Sequence, residues 1–207
     1  MIVLDRHGES AWNAESRLQG QADAPLSDLG RDQALGLRAA LRDLPPMAVV
    51  ASDLSRARDT AALAGHADAE PDARWRERGL GEWEGRLEGD IDRDALRAFR
   101  RTDVPPAGGE LWPDFQARVG AALDDLAGRG GAWLVFTHGG CVRAAVAHLT
   151  GADHRTVAGP ANASLTVLQA RGRRRMIAFN WTAAEGGALR IPAPSDPGGV
   201  SKRTRTE

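Results

Sequence analysis

Short apolar runs that alternate with longer helix-like segments restrict the fold of this chain more than any other feature. Residues 1–6 and the run Trp133–Thr137 have the length and apolar content of buried strands, and each is followed by histidine and glycine. Strands that alternate with helices favour a parallel α/β sheet. Open α/β sheets place their ligand sites at the carboxyl ends of strands. We therefore predict that His7 and His138 share one site at a sheet edge.

The remaining elements are predicted from the same periodicities. Ser27 or Asp28 is the expected N-cap of the first helix, and Pro45-Pro46 ends it. Residues 9–25 and 102–109 are expected to be loops. Strands are predicted at 1–6, 47–51, 72–75 and 133–137, with a C-terminal antiparallel hairpin of 164–169 and 176–181. Helices are predicted at about 26–44, 54–64, 86–102, 111–129 and 140–150.

The composition is that of a globular domain. Hydrophobic residues make up 42% of the 207 positions and charged residues 27%, which argues against disorder. The net charge of −1 excludes the strong basicity that is typical of nucleic-acid-binding proteins. We predict one domain over residues 1–183, with a helical insert at about 86–131. The Pro/Gly/Ser-rich and then basic segment 184–207 is expected to be a loosely ordered tail.

The cysteine count and the hydropathy pattern favour a cytoplasmic location. Cys141 is the single cysteine, so neither an internal disulfide nor a zinc site built from cysteines is expected. No apolar run approaches the roughly 20 residues of a membrane span, and no signal peptide is expected ahead of the first motif. Neither a membrane nor a nucleic acid is an expected partner. The exposed edge of the C-terminal hairpin is a candidate homodimer contact.

The segment Arg6-His7-Gly8-Glu9 places an imidazole beside a guanidinium at the end of the first strand. Such a histidine can act as a base, a metal ligand or a nucleophile. Metal ligation needs further donors at set spacings, and no His-x-x-x-His pair is present, so no metal site is predicted. Arg6 can make bidentate contacts with phosphate oxygens, and Gly8 allows close approach of the backbone. The alternative is a strand-end histidine held by backbone groups.

The segment of residues 52–61 follows the second predicted strand. A helix that begins there directs its amide N–H groups and its dipole towards the sheet edge, which favours an anion. Arg56 lies in the first turn and adds a planar guanidinium. Arg58 is expected on a solvated face.

Residues 76–85 contain three carboxylates, any of which can supply a proton donor: Glu77, Glu82 and Glu84. A general acid must keep its proton near the working pH, which requires burial or a neighbouring anion such as a bound phosphate. The alternative for Glu82 and Glu84 is an ordinary loop position. Thr137-His138-Gly139-Gly140 would complete the site, because a second imidazole can donate a hydrogen bond to a phosphoryl oxygen that the first attacks.

In this order the four segments resemble the histidine phosphatase superfamily, also called the phosphoglycerate mutase-like family, over roughly residues 1–182. The motifs are R-H-G-E-S-x-W-N at 6–13, S-x-L-x-R-A-x-x-T-A at 52–61, the glutamate-rich segment through Gly85, and T-H-G-G at 137–140. The resemblance implies a phosphoglycerate mutase-like fold, a three-layer α/β/α sandwich with a mostly parallel central sheet.

The resemblance also implies roles for individual residues. His7 would be the nucleophile that becomes a phosphohistidine, and Glu77 the general acid. Phosphoryl oxygens would be bound by His138, the third catalytic residue, and by Arg6, Arg56 and Asn13. Glu110 and Asn162 are expected to be structural. Asp5 and Asp53 depart from the family pattern, in which an apolar residue and a proline are common, but neither replaces a catalytic group.

The function implied is that of a metal-independent phosphomonoesterase that acts through a phosphohistidine on small phosphorylated metabolites, with no cofactor. The alternatives are a cofactor-dependent phosphoglycerate mutase and an inactive phospho-ligand-binding module. Glu77 and His138 are 61 positions apart. The resemblance implies that the cofactor-dependent mutases carry an extra segment between the general acid and the second histidine. The shorter insert of this chain suggests an open pocket that admits water. Trp12, Trp83 and Trp112 are candidates for an apolar lip of this pocket, the alternative being core packing.

Overall fold

A computed structural model describes residues 1–183 apart from positions 43 and 103, and it leaves the side chain of Thr102 undescribed. The predicted tail, 184–207, lies outside the described residues. The extent of the domain, 1–183, and of its insert, 86–131, therefore stay predictions.

Six strands of the described residues form one sheet. They are β1 (Ile2–Arg6), β2 (Ala48–Ala51), β3 (Glu70–Pro71), β4 (Trp133–Thr137), β5 (Ser164–Gln169) and β6 (Arg175–Thr182). Their order across the sheet is β3-β2-β4-β1-β5-β6. The first four in this order are parallel, whereas β5 and β6 form an antiparallel hairpin beside β1. The parallel register of β1 and β4 pairs Arg6 with Thr137, so both strands end at the same edge.

Helices cover both faces of the sheet. They are α1 (Ala11–Ala14), α2 (Asp28–Arg42), α3 (Ser55–Leu63), α4 (Arg93–Thr102), α5 (Trp112–Arg129) and α6 (Gly139–Thr150). Side chains of β1 alternate between the two faces. Leu4 packs in one apolar cluster with residues of α5 and α6, and Val3 packs in the other with residues of α2 and α3. The predicted three-layer α/β/α sandwich with a mostly parallel sheet is confirmed.

Two predicted elements, the strand at 72–75 and the helix at 86–102, differ from the structure. In both, an aspartate side chain caps a turn or a helix at a position that the periodicity did not indicate. Residues 72–75 were expected to form a strand, but the Asp72 side chain accepts a hydrogen bond from the Arg74 N–H and starts a 3-10 turn at Ala73–Trp75. The helix predicted over 86–102 begins only at Arg93. Asp92 Oδ1 accepts hydrogen bonds from the backbone N–H groups of Asp94 and Ala95 in the first turn of α4. Short polar side chains stabilise such starts by satisfying N–H groups that lack partners within the helix.

Asp5 is a buried acid in the middle of the sheet. Its residues opposite are Phe136 on β4 and Leu165 on β5, and its side chain is fully buried. Neither carboxyl oxygen has a hydrogen-bond partner among the described residues. Burial raises the pKa of Asp5 well above its ordinary value of 3.8, since removal from water disfavours the ionised form.

Replacing Asp5 by valine should therefore raise the free energy of unfolding. A buried polar group without a partner costs about 1–3 kcal/mol, which valine avoids. The unfolded chain releases the Asp5 proton at lower pH than the folded protein does. Wild-type stability consequently falls by up to about 1.4 kcal/mol per pH unit from the unfolded pKa up to the raised folded pKa.

Urea unfolding of wild type, Asp5→Val and Asp5→Asn at pH 5 and pH 8 measures this effect. The advantage of Asp5→Val over wild type should be larger at pH 8. Asp5→Asn, which keeps a polar group but does not titrate, separates the cost of polarity from that of ionisation. An advantage of Asp5→Val that is equal at both pH values would contradict a buried, titrating carboxyl.

Candidate active site

His7 lies directly after the end of β1, beside His138 at the end of β4. The His7 N–H donates to the Thr137 carbonyl at 2.9 Å, which continues the pairing of the two strands by one residue. The centroids of the two imidazole rings are 5.1 Å apart, with an interplanar angle of 64°. The predicted meeting of two strand-end histidines at one sheet edge is thus observed.

The hydrogen bond of the His7 ring fixes its tautomer. Nδ1 lies 2.6 Å from the carbonyl oxygen of Gly8. Because a carbonyl only accepts, Nδ1 carries the proton and Nε2 of the neutral ring keeps its lone pair. Burial, followed by the charges of Arg56 and Arg6, holds the pKa of His7 well below its ordinary value of 6.5. A neutral imidazole beside two guanidinium groups is suited to attack an electrophile that carries negative charge.

Gly8 is required by the packing of the backbone against α2. A Cβ atom at this position would lie 2.3 Å from the Gly30 carbonyl oxygen of α2, and one at Gly30 would lie 1.9 Å from the Glu9 carbonyl oxygen. Two glycines therefore let the backbone after His7 touch the backbone of α2. Thr60 adds a further contact, since its Oγ1 accepts a hydrogen bond from the Gly8 N–H at 3.0 Å.

His138 is fully buried at the N-cap of α6. Its Nε2 lies 2.8 Å from Ser52 Oγ, while its Nδ1 is buried without a hydrogen-bond partner among the described residues. Burial and then the Arg56 charge hold the pKa of His138 well below its ordinary value. An unpartnered ring nitrogen in this position is a hydrogen-bonding group that a ligand oxygen can satisfy.

The two predicted phosphate-binding arginines are held by backbone carbonyls. Arg6 donates to the Pro160 carbonyl, and buried Arg56 donates to the Ala22 and Gly20 carbonyls at 2.9 and 2.8 Å. The Nε atoms of both arginines are buried without a partner in the described part of the chain. Both guanidinium groups are therefore fixed in place while at least the Nε–H group of each has no partner among the described residues.

Asn13 stabilises the start of α1 and contacts the segment before β5. It is the third residue of α1, and its Oδ1 accepts a hydrogen bond from the Ser10 N–H at 3.2 Å in a capping box. Asn162 donates to the His7 carbonyl at 3.0 Å and to Asn13 Oδ1 at 3.3 Å. These contacts connect the loop after β1 to the segment before β5.

Glu77 meets the first turn of α6. Its carboxylate accepts hydrogen bonds from the Gly140 N–H at 2.9 Å and the Arg78 N–H at 2.8 Å. A Cβ atom at residue 140 would lie 2.0 Å from Glu77 Oε1, so any larger residue there would displace this carboxylate from its position. The carboxyl group is thereby held at the same edge of the sheet as His7.

One cavity of about 760 Å³ unites most of the predicted residues. Its lining includes Arg6, His7, Asn13, Arg56 and Glu77. His138 is not part of the lining. Further arginines also line the cavity: Arg17, Arg78, Arg100, Arg143 and Arg155.

The three tryptophans of the predicted apolar lip occupy different environments in the structure. Trp112 lines the cavity, and Trp12 and Trp83 are not part of the lining. Trp83 is buried and packs edge-on against Phe99, with ring centroids 5.5 Å apart. The lip interpretation therefore applies to Trp112, and core packing to Trp83.

Sequence reasoning missed residues that support the site. Ser52 and Thr60 lie at the start and near the end of the 52–61 segment, so their hydroxyl groups were a visible signal. Asp23 lies in a polar loop without any pattern. It accepts hydrogen bonds from Ser55 N–H and Ser55 Oγ at 2.9 and 2.7 Å, which fixes that loop to the start of α3. The departure at Asp53 is explained by a bidentate ion pair with Arg76, which also lowers the pKa of Asp53.

Two absences apply to the described residues. They contain no group of three or more histidine, cysteine or acidic side chains that could hold a metal ion. No helix among them is both long and apolar enough to cross a membrane.

Known phosphatases resemble this chain in sequence and in fold. A glucosyl-3-phosphoglycerate phosphatase of Mycobacterium tuberculosis is 36% identical over 187 residues, which is 81% of this chain and 84% of that protein. A metal-independent phosphoserine phosphatase of Arabidopsis thaliana is 34% identical over 189 residues, covering 85% of this chain and 79% of that protein. The structure of a mycobacterial glucosyl-3-phosphoglycerate phosphatase complexed with VO3 superimposes with a TM-score of 0.81 at 34% identity, over 87% of this chain and 98% of the other.

A sequence profile of the histidine phosphatase superfamily (branch 1) matches residues 2–182, nearly all of the described chain. Together with the phosphatase relatives, this match makes the chain a member of the histidine phosphatase superfamily.

Proposed function

We propose that this protein is a metal-independent phosphomonoesterase that hydrolyses small phosphorylated metabolites through a phosphohistidine formed on His7. The observation that carries the proposal is the neutral His7 ring, with Nδ1 engaged by Gly8 and two arginines beside it. Relatives named as phosphatases support hydrolysis rather than isomerisation as the outcome.

The reaction proceeds in two steps. His7 Nε2 attacks phosphorus, the bond to the ester oxygen breaks, and the protonated Glu77 carboxyl gives its proton to the departing oxygen. Water then attacks the phosphohistidine while the Glu77 carboxylate takes a proton from it. The phosphorus–nitrogen bond breaks, and phosphate and neutral His7 are restored.

The charge of the transferring group is met by side chains of the chain itself. Arg6 and Arg56 donate to its equatorial oxygens through N–H groups that have no partner among the described residues, and His138 donates from Nδ1. Asn13 adds a contact from the cavity wall. Because these groups are held by hydrogen bonds to other atoms, little reorganisation accompanies the reaction.

Hydrolysis of p-nitrophenyl phosphate in the presence of EDTA, combined with trapping of the enzyme intermediate, tests the proposal. Rapid quenching should yield a phosphoryl group on His7 that is stable in alkali and lost in acid, located by mass spectrometry of peptides. Phosphate release without a phosphohistidine, or a phosphoryl group on another residue, would contradict the mechanism.

The mutase alternative is tested with 3-phosphoglycerate and 2,3-bisphosphoglycerate together. Rapid isomerisation without phosphate release would reverse the assignment. Failure to turn over any ester while phosphate compounds still bind would favour the binding-module alternative.

The proposal also includes an oligomeric state and a cellular location. β6 is an edge strand of the sheet, and such a strand can pair with a second copy of the chain, so a homodimer through this edge is part of the proposal. A cytoplasmic location accords with the single buried thiol of Cys141.

A further inference from the structure

Glu77 lies in a part of the chain that forms neither helix nor strand. The nearest regular structure consists of short 3-10 turns, of which Ala73–Trp75 precedes Glu77 and Gly81–Trp83 follows it. A catalytic group must be held within about 0.5 Å of its productive position, and loops hold side chains less precisely than helices and strands do. The backbone around Glu77 therefore needs support from another part of the fold.

Arg118 on α5 supplies this support with its whole guanidinium group. Nη1 donates to the Arg74 and Arg76 carbonyls at 2.8 and 2.9 Å, and Nη2 donates to the Glu77 carbonyl at 3.4 Å. Nε and Nη2 donate to the two carboxylate oxygens of Glu110 at 3.0 and 2.8 Å. These contacts match the five N–H groups of an arginine. Since every donor has an acceptor within the protein, Arg118 serves the structure around Glu77 rather than a ligand.

Glu110 extends the support to the residues that follow Glu77. Its backbone N–H donates to the Gly79 carbonyl at 2.8 Å, and its Oε2 accepts a hydrogen bond from the Gly79 N–H at 3.2 Å. Its own carbonyl accepts a hydrogen bond from Arg78 Nε at 2.8 Å. The side chains of Arg118 and Glu110 are only 22% and 20% exposed, so this ion pair is largely shielded from the screening that weakens surface pairs.

The ion pair of Arg118 and Glu110 acts from outside the cavity. Neither residue is part of the cavity lining, whereas Glu77 is. The Glu77 carboxylate keeps its place through the N–H groups of Gly140 and Arg78, so its position depends on how the backbone of its own segment is placed against α6. A displacement of about 1 Å at a reacting group can lower a rate by about 10²-fold.

We propose that the ion pair of Arg118 and Glu110 positions the general acid, by fixing the backbone of residues 74–79 so that the Glu77 carboxyl stays at the Gly140 N–H. This inference rests on the proposed phosphatase function, in which Glu77 gives a proton to the leaving oxygen. Arg118 and Glu110 are positioning residues, because they touch neither the substrate nor the transferring group. A pair that acts through Glu77 should affect a reaction only where that reaction needs the proton of Glu77.

Arg118→Lys is the main test. It keeps the positive charge, but one ammonium group cannot replace the planar guanidinium across three carbonyls and a carboxylate. The single-turnover rate of phosphohistidine formation from glycerol 3-phosphate should fall by about 10- to 100-fold. The same rate with p-nitrophenyl phosphate, whose leaving group needs no proton, should change by less than about threefold. An equal loss for both esters would overturn the positioning role.

The same substitution in a Glu77→Gln background tests whether the effect passes through Glu77. Residues that act through one another give non-additive effects. Arg118→Lys should therefore cause a further loss of less than about threefold with glycerol 3-phosphate once the proton donor is gone. Losses that multiply as if independent would show that the pair acts on another group, and would overturn the proposal.

Arg74→Met is the matched control. Arg74 lies in the same segment and pairs with Asp72 and Asp125 at 2.7 and 3.0 Å. Within the described part of the chain its side-chain hydrogen bonds go to carboxylates and not to a backbone carbonyl. Its replacement should leave both rates within about twofold of wild type, since exposed ion pairs contribute little. A loss as large and as selective as that of Arg118→Lys would contradict the assignment.

Glu110→Gln is the second variant, for the case that Arg118→Lys does not fold. It keeps the backbone hydrogen bonds of residue 110 to Gly79 and removes the charge that orients the guanidinium. Thermal unfolding of each variant shows whether the fold persists. In folded Glu110→Gln protein the loss should again be confined to glycerol 3-phosphate, and an unselective loss would count against the proposal.

Hydrogen exchange of the Gly140 amide provides a readout that does not depend on activity. This N–H lies in the first turn of α6, where it has no acceptor within the helix, and it donates to Glu77. Its exchange with deuterium, followed by NMR, should be faster in Arg118→Lys than in wild type and unchanged in Arg74→Met. Unchanged exchange in Arg118→Lys would overturn the positioning role. If wild type hydrolyses no ester, the proposed function fails, and this exchange decides the positioning of Glu77 by itself.

Discussion

Replacing His7 by alanine should lower kcat for p-nitrophenyl phosphate by at least about 10⁴-fold, because it removes the atom that attacks phosphorus. The neighbouring His138 cannot substitute for it, since its Nε2 is engaged with Ser52 and its Nδ1 carries the proton that it would donate to the phosphoryl group. Initial rates of phosphate release from both proteins measure the effect.

His148→Ala is the matched control for this change. His148 is a partly exposed histidine on α6 that pairs with Asp124 at 2.8 Å and does not line the cavity. Its replacement should leave kcat within about twofold of wild type. If His7→Ala kept a substantial fraction of the rate, His7 would have to be reassigned as a binding or structural residue.

The pKa of His7 gives the same site a pH signature. Because burial and two arginines hold this pKa well below 6.5, the nucleophile stays neutral as the pH falls through 6.5. The value of kcat/KM for wild type should therefore show no loss near pH 6.5 from protonation of this ring.

Glu77→Gln should produce the second large effect, and its size should depend on the leaving group. Alkyl phosphates expel a strongly basic oxygen that needs a proton, so kcat should fall by about 10²–10⁴-fold. p-Nitrophenolate is a much weaker base and leaves without help, so formation of the phosphohistidine from its ester should be affected far less. Single-turnover rates with glycerol 3-phosphate and p-nitrophenyl phosphate measure this difference.

The glutamine is nearly isosteric, but the N–H groups of Arg78 and Gly140 donate to different oxygens of Glu77, so its single amide oxygen keeps only one of the two bonds. Glu82→Gln is a suitable control, since Glu82 lies in the same segment but outside the cavity lining. An equal fall for both esters in Glu77→Gln would indicate a structural role, and the proton donor would then have to be sought elsewhere.

Much of the fold could be predicted because apolar periodicity records burial. β4 lies at the predicted residues, and the hairpin of β5 and β6 agrees to within one residue at each end. The errors at 72–75 and 86–102 came from aspartate caps. A single side-chain hydrogen bond decides such starts, and the average propensity of a segment does not reveal it.

The candidate site was predictable to a different degree for each kind of residue. Residues that follow strand ends, such as His7 and His138, are located by topology once the parallel sheet is recognised. Asp23 acts through contacts with Ser55, 32 positions away, and its spacing in the sequence carries no signal for those contacts. The contact of Gly8 with α2 was not predicted, because it joins residues 22 positions apart.

The pair Gly8 and Gly30 has a consequence for how this protein can change. A methyl group at Gly8 would collide with the Gly30 carbonyl, and one at Gly30 would collide with the Glu9 carbonyl. A single substitution at either position must therefore push α2 away from the nucleophile. A compensating change would have to move a whole helix, which no single side chain elsewhere can provide. Variation of substrate preference is therefore far more accessible on the outer wall of the cavity than at this backbone contact, and libraries for altered specificity would gain by leaving the first turn of α2 untouched.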